Sequence, residues 1–113
     1  MQMINEVLYK NLLNSLRNPI VFTDCEHIIR YMNKAAIEHY KEGESLIGQS
    51  IFNCHNGESN AIIRNVYEKM LHDDLEERLI TDNSRHRIYM RAVRDENNQL
   101  MGYYERYEPP VGS

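Results

Sequence analysis

The sequence is poor in the features that mark several large protein classes. It has only two cysteines, Cys25 and Cys54. That is too few for the disulfide framework of a small secreted domain, or for an iron–sulfur cluster, which normally takes four thiolates. Positive charge is not in excess: 13 Lys and Arg are interspersed with 17 Asp and Glu, for a net charge of −4. The basic stripe of a nucleic-acid-binding surface is therefore missing. No apolar run reaches membrane-spanning length, and the N-terminal MQMINEVLYKNLL is amphipathic and carries acid early, unlike a signal peptide. There is no internal repeat and no low-complexity tract. These absences leave a cytoplasmic globular domain as the expectation, with neither nucleic acid nor membrane as partner. What is present suits that class: 113 residues, 42% of them apolar, are enough for one domain and one core.

Catalytic patterns are missing too. No nucleophile–base pair, phosphate-cradling glycine loop or paired-carboxylate motif stands out, and an enzyme is not expected. His27, His39, His72 and His86 are scattered without zinc-site spacing. Asp73, Asp74, Glu76 and Glu77 form a solvated corner, lacking the ligand spacing and central glycine of a calcium loop.

Periodicity supplies the elements. Ile4, Val7, Leu8, Leu12 and Leu16 fall at helical spacing. The stripe suits either the core or a partner helix, and a homodimer through this helix is expected. Pro19 ends the helix. Ile20–Thr23 reads as a strand, Asp24–His27 as a turn and Ile28–Met32 as the returning strand. Asn33 is placed to cap a short helix over 34–40. Gly43 and Gly48 punctuate a loop. Ile62, Ile63, Val66, Tyr67, Met70 and Leu71 form one apolar face of a long helix over 58–72, with Asn56 as its cap. Strands are expected near 75–81, 86–94 and 99–107, the last two joined over Asp95–Asn98. Two hairpins and one obligatory crossover predict an α+β fold, an antiparallel sheet with helices on one face.

That order, with these residues at its corners, resembles the PAS domain family. The stretches PIVFTDCEHIIRYMNKAAIEHY, LIGQSIFN and IYMRAVRDENNQLMGYYERY carry the resemblance over about residues 10–107. It implies a five-stranded antiparallel sheet cupped over short helices, with the first strand between the second and the fifth. The implied organisation is an N-terminal amphipathic helix over 1–17, a PAS domain over 18–108 and a tail over 109–113. PAS domains sense ligands, haem, flavin or redox state, or simply dimerise, and the fold does not choose among these.

His55 is the most informative residue. It sits just before the long helix, whose positive end disfavours imidazolium and so favours the neutral ring that a metal needs. CHNGESNAIIRNVYEKM is similar to the segment of carbon-monoxide-sensing PAS regulators in which a histidine before a Pro-Glu-Lys-Ser-like stretch holds haem b. Here Asn56-Gly57-Glu58-Ser59 departs from that stretch at the proline. The resemblance implies His55 as proximal ligand of haem b, with a diatomic gas (CO, NO or O2) or redox state as the signal. A downstream signalling domain or partner protein is implied as its output.

Ile62, Ile63, Val66 and Tyr67 would form one wall of the cofactor site. Met90, alternating with Ile88 and Ala92, is the candidate sixth ligand, and Arg64 and Arg91, with Arg78, are candidate partners for the propionates. Against this stands a histidine that merely caps the helix or hydrogen-bonds in the loop. The domain would then be a cofactor-free interaction and dimerisation module, its cup filled by side chains. Cys54 reads as an inert core cysteine, since its distance from Gly48 is too long for the photoactive cysteine of flavin-binding relatives.

Overall fold

The structure, a computed structural model, describes residues 2–111; the side chains of residues 2–4 and of Cys54 are not described. Ile4 of the N-terminal stripe, the Cys54 thiol and the last two residues of the expected tail therefore lie outside the described part. The chain runs α1 (Gln2–Asn14), β1 (Ile20–Asp24), β2 (Ile29–Met32), α2 (Lys34–His39), 3-10 turns at Gly43–Leu46 and Ile51–Cys54, α3 (Gly57–His72), β3 (Glu77–Asp82), β4 (Arg87–Arg94) and β5 (Leu100–Glu108). The five strands form one sheet in the order β2-β1-β5-β4-β3, with every neighbouring pair antiparallel. The expected fold is the one found, including β1 between β2 and β5.

Local chemistry sets the corners. Asp24 Oδ1 accepts the amides of Glu26 (2.9 Å) and Ile28 (3.1 Å), which turns β1 into β2. Asn33 caps α2 by accepting from Ala36 N at 3.0 Å, and the same oxygen takes the amide of Ile20 at 3.0 Å. Its amide nitrogen donates to the carbonyls of Leu13 and Asn18, so this one buried side chain ties α1, β1 and α2 together. Asn56 caps α3 by accepting from Ser59 N at 2.9 Å.

The core lies between the inner face of the sheet and the helices. β4 alternates with period two, burying Ile88, Met90 and Ala92 and turning Arg87, Tyr89 and Arg91 to the other face. β5 buries Tyr103, Glu105 and Tyr107. α3 seals the cup with Ile63, Val66 and Met70. Its apolar face is narrower than its spacing suggests: Ile62 and Leu71 remain 38% and 45% exposed, because they sit at the flanks of the stripe that meets the sheet.

Gly102 is placed where no side chain fits. Its φ is +153°, and a Cβ there would run into the carbonyl oxygen of Thr23 and the ring of Phe22 on β1.

Candidate functional site

His55 is held between two caps. Ser50 Oγ accepts from Phe52 N (3.3 Å) at the start of the preceding 3-10 turn, and Asn56 opens α3 immediately afterwards. The ring is tied back to this turn: Nδ1 lies 2.9 Å from the carbonyl oxygen of Ile51. A carbonyl only accepts, so Nδ1 carries the hydrogen, and Nε2 of the neutral ring keeps its lone pair. Nε2 faces Glu105 Oε1 at 3.9 Å.

Glu105 is an unusual occupant of a core position. It sits on the central strand β5, opposite Val21 on β1 and Met90 on β4, and is 1% exposed. Its Oε1 has no hydrogen-bond partner among the described residues. Burial pushes the carboxyl up from its ordinary range, and the nearby His55 pulls the other way. A lone buried carboxylate is costly, so this position favours the neutral acid or an incoming donor.

Both residues line a half-open cavity of about 330 Å3, within the size range of small-molecule sites. Ile62, Ile63, Ile80 and Ile88 form its apolar side. His39, Arg85 and His86 line it from the ends of α2 and of the β3–β4 turn, with Tyr107 beside them. The exposed His39 and Arg85 mark the open end, and the buried Glu105 and Ile63 mark the floor. Behind His55 and Glu105 lies a second space of about 10 Å3, walled by Val21, Ile29, Met32 and Ile51. It has room for about one water.

The structure gathers some of the residues expected at the site and separates others. His55, Ile62 and Ile63 line the cavity. Val66 is buried in the core further along α3, and Tyr67 points to the other end of the cup, its hydroxyl 3.5 Å from the carbonyl of Cys25. Met90 is fully buried in the core and is not among the cavity-lining residues. Arg91 lies on the opposite face of the sheet, 3.6 Å from Glu77. Arg64 is exposed and stacks over the Phe52 ring at 3.9 Å. Arg78 borders a shallow hollow with Ala61, Asn65 and Val66, away from His55.

Sequence reasoning missed Glu105, His39, Arg85 and His86. For Glu105 a signal existed: it alternates with Tyr103 and Tyr107, both inward-facing. It also missed a second polar cluster, where His27 adopts a φ of +67° and its Nδ1 lies 2.9 Å from Tyr103 Oη. Burial first, then Arg64, holds the His27 pKa below its ordinary value. No cluster of three or more metal-ligating side chains occurs among the described residues, and none of the described helices is long and apolar enough to cross a membrane.

A five-stranded antiparallel sheet cupped over short helices, enclosing a ligand-sized space, defines a class of small cup-shaped domains. The sequence model of the PAS domain family matches residues 9–108, nearly the whole chain, and the chain belongs to that family. PAS domains are sensory or interaction modules of signalling proteins. Among solved structures, the chain is similar to the C-terminal domain of a Streptococcus mutans protein (21% identity, 89% of this chain and 81% of that one, TM-score 0.75). It is also similar to the PAS domain of a Colwellia psychrerythraea protein (16% identity, 98% and 99%, TM-score 0.70). A third similar structure is the Aer2 receptor of Vibrio cholerae, described as a dual PAS-heme oxygen sensor (19% identity, 80% and 92%, TM-score 0.58). At these identities the likeness is one of fold. No curated protein matches the chain.

Proposed function

We propose that this PAS domain is a sensor whose cup takes haem b, with His55 as the axial ligand, and that it reports a diatomic gas or redox state. The observation that carries this reading is the orientation of His55. Its Nδ1–H is committed to the Ile51 carbonyl, and Nε2 points towards a cavity with an isoleucine wall. A backbone carbonyl on the far nitrogen is the usual way to hold a metal-binding imidazole in one tautomer. Haem, when bound, would supply an iron that takes a gas ligand.

The residues present fit that group at the ligand and at the wall. They fit less well elsewhere: Met90 and Arg91 have no path to the cavity from their present positions, so Met90 is not retained as sixth ligand nor Arg91 as propionate partner. Glu105 would have to yield the space in front of Nε2.

Absorption spectra of protein expressed with haem supply test the reading. Wild type is expected to show a haem spectrum that carbon monoxide alters on reduction. His55→Ala is expected to lose most of the haem, while the exposed His72→Ala keeps it. A His55→Ala protein with unchanged haem content and spectrum rules the assignment out.

A second reading, a cofactor-free dimerisation module, is favoured by α1. Val7, Leu8 and Leu12 are 54–59% exposed, Leu16 lies just beyond the end of the helix, and the helix is anchored near its C-terminal end, where Asn14 Oδ1 meets Tyr31 Oη and Lys34 N. A 13-residue helix with a bare apolar stripe is marginal in water, and a second copy of the same stripe would cover it. Absence of haem uptake together with a stable dimer would favour this reading.

A further inference from the structure

The open end of the cup gathers the Arg85 guanidinium and two imidazoles, those of His39 and His86. The His39 and His86 rings lie 6.1 Å apart and flank Tyr107 at 5.0 and 5.2 Å. Arg85 lines the same cavity. The three also line an adjoining hollow of about 220 Å3 on the far side of Tyr107, so they stand as a partition reachable from both sides.

Four other arginines are held in ion pairs; Arg17, Arg64, Arg78 and Arg87 are in none among the described residues. Arg30 pairs with Asp24, Arg91 and Arg106 with Glu77, and Arg94 with Glu76. Among the described residues, no ion pair involves His39, Arg85 or His86. Two carboxylates face these spaces. Glu108, on the outer side, is engaged by Arg106 at 3.3 Å. Glu105, on the floor, sits beside His55, and its burial disfavours the ionised form. Burial first, then repulsion from His39 and Arg85, holds the His86 pKa below its ordinary value. An anion arriving between them would relieve that repulsion.

We propose that Arg85, His86 and His39 form a carboxylate-binding site at the mouth of the cup. Its ligand is an amphipathic small molecule whose apolar body lies on Ile62, Ile63, Ile80 and Ile88. Arg85 supplies a two-pronged donor suited to a carboxylate, and the two imidazoles supply N–H donors on either side. The propionates of haem are one instance of this class. The inference rests on the reading of the cup as a ligand site, not on iron.

Paired probes that differ only in charge test it: pyrenebutyrate against its methyl ester, and haem against its dimethyl ester. Wild type is expected to bind the free acid of each pair more tightly. Arg85→Ala/His86→Gln is expected to lose about tenfold on the acids, the loss of one charged hydrogen bond, and to bind the esters as wild type does. Arg85→Lys should recover part of the preference. Circular dichroism checks that the double variant keeps the wild-type fold, as substitutions at these rim positions should.

An acid preference that survives in a folded double variant overturns the proposal. So does wild type binding acid and ester alike, or neither member of the pyrene pair. The haem reading fails separately: a chain that takes no haem but prefers pyrenebutyrate over its ester sustains the carboxylate site without iron. A chain that binds haem and its dimethyl ester equally well through His55 keeps the haem reading and removes this one.

Discussion

At the residue scale, two positions carry more than their size suggests. Asp24 closes the first hairpin with both oxygens: Oδ1 takes two backbone amides, and Oδ2 meets Arg30 Nε at 2.6 Å. Burial pulls its pKa up, but Arg30 and the amides outweigh this, and the net direction is down from 3.8. A lowered carboxyl pKa stabilises the fold above the unfolded-state value, and the gain is lost as pH falls through the folded value. Asp24→Ala is therefore expected to cost about 1–2 kcal/mol at neutral pH. Urea unfolding at neutral and strongly acidic pH should show that cost shrinking in acid.

Gly102 is a test of backbone approach. Gly102→Ala forces a methyl group into the β1 backbone and is expected to cost more than about 3 kcal/mol. Gly48→Ala, also at positive φ but with open space around it, should cost only about 1 kcal/mol. Thermal melts of the two variants compare them directly.

At the element scale, α3 is held by one narrow stripe. Ile63 and Met70 are 1% and 0% exposed, so Ile63→Ala and Met70→Ala should each lose about 2–5 kcal/mol in urea unfolding. Leu71→Ala, on the exposed flank, should lose well under 1 kcal/mol.

α1 poses a different question, because its last turn belongs to the fold while its stripe does not. Deleting it would remove Asn14, which holds Tyr31 and the amide of Lys34. Leu8→Lys/Leu12→Lys leaves that anchor in place. If α1 pairs with a second copy, this variant should run as a monomer in light scattering at concentrations where wild type is a dimer. A wild-type-like dimer would place the contact elsewhere.

At the scale of the whole molecule, the cavity touches the central strand as well as α3. Glu105 and Tyr107 lie on β5, which joins the β1–β2 side of the sheet to the β4–β3 side. A ligand in the cup therefore bears on both halves of the sheet, and through β2 on the anchor of α1 at Tyr31. A ligand that binds only the folded chain stabilises it by mass action, about 2.7 kcal/mol at a hundredfold excess over Kd. Circular-dichroism melts with haem should show wild type rising in Tm and His55→Ala rising much less. Equal rises would place haem somewhere other than against His55.

How much the sequence determined follows from how local each signal is. The Asp24 turn, the Asn33 and Asn56 caps and the alternation of Ile88, Met90 and Ala92 along β4 each depend on residues a few positions apart, and all are found in place. The inward position of Glu105 was legible from its alternation with Tyr103 and Tyr107. So was a conflict in expecting both Met90 and Arg91 at one site, since adjacent residues of a strand point to opposite faces.

The site itself was not local. His39 ends α2, Arg85 and His86 close the β3–β4 turn, and Glu105 lies near the end of the chain. Only the sheet order, with β5 next to β4 and β1, brings them around one space. The depth of that space depends on which flank of α3 meets the sheet, and helical spacing alone left Ile62 and Ile63 equivalent. Tertiary packing buried Ile63 and left Ile62 at the rim, because a helix presents only one narrow stripe to a sheet, whatever the width of its apolar face.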